Sequence, residues 1–161
     1  MVDSVPLTRT ASTVPVSTHQ VESSVLPVAI DKAWAFFKSL KLETLVPGIV
    51  KATNFTQGGP NQLDAIVNIE YTDGAKWMLR IVELSELQHT LGYQVLTTEP
   101  AHSVSSIQGL VNLRSVTDDN TTLITWTTDF SNDADATVIY DQKFKKTEFF
   151  AELKKNLSGG K

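Results

Sequence analysis

The stretch from Asp135 to Leu157 constrains this chain most, because it reads as a long helix with too much apolar surface to stand alone. At 100° per residue, Ala136, Ile139, Tyr140, Phe144, Thr147, Phe150, Ala151, Leu153 and Leu157 fall on one broad face. Asp141, Lys145, Glu148, Glu152 and Lys155 take the opposite side. Asp133 and Asp135 stand just ahead, where a carboxylate caps free backbone N–H groups and suits the helix dipole. Gly159 and Gly160 follow the last periodic residue and supply a stop. Lys143 breaks the pattern by projecting into the apolar arc between Ile139, Tyr140 and Phe150. Two readings of it stand side by side. In one, its stem lies on apolar surface with the ammonium in water. In the other, the ammonium sits at a cavity edge and holds an anionic or carbonyl group of a ligand.

A face that wide must be covered, and the preceding chain reads as strands able to cover it. Thr18 to Val28 is the first, with ambiguous facing, because Val21, Ser23 and Val25 oppose Glu22, Ser24 and Leu26. Asp31 caps a short helix, Lys32 to Leu40, that buries Trp34, Phe37 and Leu40. A second short helical piece, Leu42 to Leu45, ends before Pro47-Gly48. Six strand-like runs follow: Ile49–Thr56, Leu63–Thr72, Lys76–Leu84, Thr90–Thr98, Val104–Val116 and Thr121–Ser131. The clearest alternation is Leu63, Ala65, Val67, Ile69 and Tyr71 against mostly polar neighbours. Asp73-Gly74 marks a hairpin. Hairpin-length connections make these runs antiparallel neighbours in order.

The economical assembly is an α+β fold: a curved, seven-stranded antiparallel sheet around a long C-terminal helix, with two short helices after the first strand. Residues 1–17, rich in Ser, Thr, Val and Pro, read as a flexible arm, and residues 18–158 as a single domain. The 161-residue length and 41% hydrophobic content suit one domain with a real core. A net charge of −4 without a basic stripe argues against nucleic acid. There is no cysteine for a disulfide or thiolate site. No apolar run approaches the roughly 18 residues of a membrane span, and no secretory signal opens the chain. The expectation is a cytoplasmic protein without membrane insertion. His19, His89 and His102 lack metal-ligand spacing, so no metal or cofactor is expected.

Several short motifs, in order, resemble the Bet v 1-like or START-like helix-grip superfamily, which includes polyketide cyclase/dehydrase-type proteins. Leu26-Pro27-Val28-Ala29-Ile30-Asp31-Lys32-Ala33-Trp34 is similar to the family's entry to its first helix, although the family's Ala-Pro is replaced by Val28-Ala29. Val46-Pro47-Gly48-Ile49 resembles "W-x-P-G-V", Tyr71-Thr72-Asp73-Gly74 with Trp77 resembles "F-x-D-G … W", and Thr125 to Phe130 resembles the seventh strand. The likeness spans Val21 to Leu157. It implies a groove between sheet and last helix that takes sterols, phytohormones, flavonoids, lipids or polyketides, and in some members a cyclase or dehydratase.

The departures from that pattern bear on activity. The glycine-rich loop keeps Gly58-Gly59-Pro60 but has Thr56 and Asn61 where glycines flank it. The cavity arginine of enzymatic and hormone-sensing relatives falls at Val67, and the facing acid at Leu79. A Val–Leu pair cannot move a proton. His102 matches the family's latch histidine poorly and reads as a surface residue.

The inner wall is then expected from Leu63, Val67, Ile69, Tyr71, Trp77, Leu79, Ile81, Leu91, Tyr93, Val95, Ile107, Val111, Trp126 and Phe130, with Ile139, Lys143, Thr147 and Phe150 from the helix. Such a wall suits a flat or chain-like apolar molecule; it equally suits an ordinary core. The leading reading is a binding protein for a small hydrophobic molecule, with Tyr71, Tyr93 and Lys143 orienting a polar end. The second is a cyclase/dehydratase-type enzyme, with Tyr71 or Tyr93 as acid and Lys143 or Glu22 as base, which requires one of these pKa values to move toward 7. The third is an interaction module using outward-facing Ile66, Met78, Val82 and Leu110.

Overall fold

The computed structural model describes residues 17–159. The proposed arm therefore lies, but for Ser17, outside the described residues, as does Gly160. The element order is β1 (His19–Leu26), α1 (Ile30–Ser39), a 3-10 turn (Leu42–Thr44), β2 (Val50–Gln57), β3 (Ile66–Tyr71), β4 (Lys76–Ser85), β5 (Thr90–Glu99), β6 (Ile107–Val116), β7 (Thr121–Phe130) and α2 (Ala136–Gly159). The strands form one seven-stranded antiparallel sheet in the order β1-β7-β6-β5-β4-β3-β2. Each strand after β2 pairs with its sequence neighbour, as short connections require, and β1 closes beside β7. The sheet curves and α2 lies in its concavity, packed along β1.

Alternation holds through most strands. Gln20, Glu22, Ser24 and Leu26 turn inward from β1, while Val21 and Val25 turn out and are exposed, which resolves its facing. On β3, Val67 and Ile69 are buried, and Val67 stands opposite Leu79 of β4. The period fails at Leu63, which is 60% exposed rather than part of the wall. Asp64 has a left-handed backbone (φ 65°), so the alternation running back from Ala65 is broken there and Leu63 swings out.

α1 buries Ala33, Trp34, Phe36 and Phe37 and closes one end of the sheet. It begins at Ile30, before Asp31, whose carboxylate accepts only the N–H of Lys32 at 3.0 Å; the N-cap is Ala29, without a side-chain cap. Leu40, left-handed at φ 56°, ends it. At the start of α2, Asp135 caps as expected, its Oδ1 accepting the Val138 N–H at 3.0 Å. Asp133 does something else: it ties the β5–β6 loop to the end of β7 by accepting from the Ser105 N–H at 3.0 Å and from the Ser105 and Ser131 hydroxyls. Those hydroxyls, with the Ser105 N–H, hold its carboxyl well down, at a pKa of about 2. α2 continues through Gly159, one of the two glycines expected to stop it.

Candidate functional site

The stripe that α2 turns to the sheet is Ala136, Ile139, Gln142, Lys146, Phe149, Phe150, Leu153 and Leu157. It differs from the expected arc in its middle. Tyr140 and Phe144 are 64% and 62% exposed, and Lys143, Thr147 and Ala151 are exposed beside them. The Thr147 hydroxyl donates to the Lys143 carbonyl at 3.0 Å, a local bond on the solvent side. Lys143 is thus exposed, with its ammonium in water and not at a cavity edge, and Thr147 lines no wall. The true stripe steps by three and four residues through two polar side chains, and a search for apolar residues passes over both. Stepping back from Phe149 by three and then four would have found Lys146 and Gln142.

A cavity of about 310 Å³ lies between this stripe and β3–β7. Of the expected wall, Ile69, Tyr71, Trp77, Leu79, Ile81, Leu91, Tyr93, Val111 and Trp126 line it. Val67, Ile107, Phe130, Ile139 and Phe150 are buried but stand in the packed core outside it. Residues not anticipated there are Phe37, Leu40 and Leu42 from the closed end, Gly48 and Ile49 before β2, and Gln142, Lys146 and Phe149 from α2. At the rim, Thr72 and Asp73 of the β3–β4 hairpin meet Lys145 and Glu148 of α2, all exposed. Glu152 and Asn156 anchor the next turns of α2, accepting from the Gly48 N–H at 3.1 Å and donating to the Leu45 carbonyl at 2.6 Å respectively.

Aromatic edges run through the wall: Phe149 to Trp126 at 5.3 Å between ring centroids, and Trp126 to Tyr93 at 6.5 Å. The Trp126 Nε1–H donates to the Tyr93 hydroxyl oxygen at 2.9 Å. Tyr93 takes this pose because Gly109 lies opposite on β6; a Cβ there would stand 2.2 Å from the ring. Burial pushes the Tyr93 hydroxyl up to about 12, partly offset by the Trp126 bond, and burial, Tyr93 and Asp73 together push Tyr71 higher still. The phenols move away from neutrality, opposite to what an acid catalyst needs.

Lys146 is the buried cation, 3% exposed. Its Nζ donates to Gln20 Oε1 at 2.9 Å and lies 5.3 Å from the Trp126 ring centroid. The same Gln20 donates through Nε2 to the Ile139 carbonyl at 2.8 Å, which fixes its oxygen toward the lysine. Burial lowers the Lys146 amine to about 8, with Glu22 of β1 partly restoring it. Glu22 is half-buried on the inner face, and among the described residues it forms no ion pair with Lys146. His102 and Trp77 form a T-shaped pair with ring centroids 5.2 Å apart, and burial, then Lys145, lower the histidine's pKa. Among the described residues no group of three His, Asp or Glu could hold a metal ion, and no helix is long and apolar enough to cross a membrane.

No protein-family model and no curated protein matches the chain. Solved structures do. An uncharacterised protein of Bacillus thuringiensis superposes with a TM-score of 0.74 at 15% identity, over 86% of this chain and 98% of that one. Ara h 8.0201 gives 0.70 at 17% identity, over 88% and 97%. Ginseng major latex-like protein 151 from Panax ginseng gives 0.68 at 14% identity, over 88% and 95%. The last two are Bet v 1-like proteins, and the fold of this chain is the Bet v 1-like helix grip.

Proposed function

We propose that this protein binds a small, largely apolar organic molecule between the concave face of the sheet and α2. The observation that carries this reading is the cavity itself: about 310 Å³, walled by Ile69, Trp77, Leu79, Ile81, Leu91 and Val111, with few polar groups among them. That size and lining suit a ligand whose bulk is hydrocarbon or aromatic and whose orientation is set by one polar end. An ordinary core with this wall would be filled by side chains.

The test is titration with N-phenyl-1-naphthylamine, a neutral probe that fluoresces in apolar surroundings. Saturable one-to-one binding is expected, accompanied by a change in tryptophan emission, since Trp77 and Trp126 both line the cavity. Leu79→Trp and Ala75→Phe, the latter at a residue that also lines the cavity, each checked for folding by circular dichroism, fill the space and should abolish it. Absence of saturable binding, or binding untouched by both variants, overturns the reading.

A further inference from the structure

We infer that the ligand of this cavity carries a carboxylate, held by Lys146, Gln142 and Tyr93. The inference rests on the binding function just proposed and adds the chemistry of the ligand's polar end.

The buried part of the lining is richer in hydrogen-bond donors than in acceptors. Lys146 has three N–H donors, and its bond to Gln20 uses one of them. Gln142 is 8% exposed, lines the cavity, and presents a buried Nε2 with no partner. A buried, unpartnered amide is costly, and a side chain that leaves one beside a cavity gains when a small side-chain rotation brings it to a ligand acceptor. The Tyr93 oxygen already accepts from Trp126, so its own hydrogen is free to be donated. Three side chains from two elements therefore offer donors, and one of them is charged.

Apart from the Gln142 carbonyl oxygen, acceptors are poorly represented in the same place. Gln20 turns its oxygen to Lys146 and commits its nitrogen to the Ile139 carbonyl. The carboxylates that line the cavity, Asp73 and Glu148, are exposed at the rim beside Lys145. Glu22 is outside the lining and forms no ion pair with Lys146. A buried cation without a carboxylate in contact is a gap that a ligand anion fills, and two carboxylate oxygens accept up to four such bonds. An alcohol would meet fewer of the donors, and a ligand cation would be repelled. At pH 7, an amine titrating near 8 remains about nine-tenths protonated, so charge pairing is available where the cell would use it.

The experiment displaces N-phenyl-1-naphthylamine at pH 7 with three ten-carbon competitors: decanoate, decanol and decyltrimethylammonium. They share a tail and differ in the head group. The expected result is decanoate tighter than decanol by about tenfold or more, and the cation weakest. In Lys146→Met the preference for decanoate over decanol should fall to within about threefold. Gln142→Leu should lower the preference part of the way. If decanol and decanoate displace the probe equally in the wild type, or if Lys146→Met keeps the preference, this assignment is wrong and the binding function stands. If the probe itself fails to bind, the binding function falls, and this inference with it.

Discussion

The space under the sheet contains two regions of opposite character. In one, Ile107, Phe130, Ile139, Phe150 and Leu153 are packed until almost nothing of them is exposed. In the other, Tyr71, Trp77, Leu79, Tyr93, Val111 and Trp126 face a cavity. Both regions draw on the same helix and neighbouring strands, and both alternate correctly. What separates them is the helix residue that closes each. Leu153 fills its share of the concavity, whereas Gln142 and Lys146 present polar ends that cannot be buried against hydrocarbon without a partner. The packed region makes the fold; the polar closure leaves a site.

The largest expected difference lies in truncation. Leu153→Ala should cost about 2–5 kcal/mol in urea unfolding, because a fully buried leucine leaves a hole in packed surroundings. Leu79→Ala, beside existing free space, should cost less than half as much. Equal losses would erase the distinction between the two regions.

Next comes Lys146. Its folded-state pKa of about 8 lies below the ordinary 10.5, so the unfolded chain holds the proton more tightly. The buried charge therefore weakens the fold at pH 7, and stability should rise as pH climbs from about 8 toward 10. Above that, Tyr71 and Tyr93 act in the other sense, since their unfolded phenols ionise first and favour unfolding. Glu22 from β1, Asp73 of the β3–β4 hairpin, and Lys145 and Glu148 on α2 are the other charged groups around the site. Lys146→Met should be more stable than wild type by about 1–3 kcal/mol at pH 7, with the gap narrowing toward pH 10. A less stable Lys146→Met would mean that the lysine belongs to the packed region after all.

Much of this architecture is legible in the sequence, for a physical reason. The seven strands and the long helix follow from period-two and period-3.6 patterns set by burial, the order of the last six follows from their short connections, and nine of the expected wall residues line the cavity; the pairing of β1 with β7 carries no such local signal. The facing of α2 was not legible in the same way. Tyr140 and Phe144 draw an apolar arc toward themselves although both face solvent, while the buried positions of α2 that line the cavity include Gln142 and Lys146. The lysine that lines the cavity, Lys146, stands three residues beyond Lys143, nearly one helical turn. A polar residue at a functional position carries no periodic signal, and its role appears only when Gln20 and Trp126, far away in the chain, are brought beside it.

A smaller effect should come from Tyr93→Phe, which leaves the Trp126 N–H without its acceptor at the boundary of the two regions. The expected loss is about 1 kcal/mol, read from the urea midpoint. The smallest belongs to the outer surface: Tyr140→Ser and Phe144→Ser should each change stability by no more than about 0.5 kcal/mol and leave probe binding unaltered. A large loss of binding in either would move attention to that exposed face and to a protein partner.

The central claim is the location of the ligand, and the measurement that addresses it most directly is amide and indole chemical-shift perturbation on adding N-phenyl-1-naphthylamine. The account predicts the largest shifts at the Trp77 and Trp126 indoles and at the amides of Tyr71, Leu79, Tyr93, Val111 and Gln142. Shifts confined to Tyr140, Phe144, Val82 and their neighbours, with the two indoles unmoved, would contradict it.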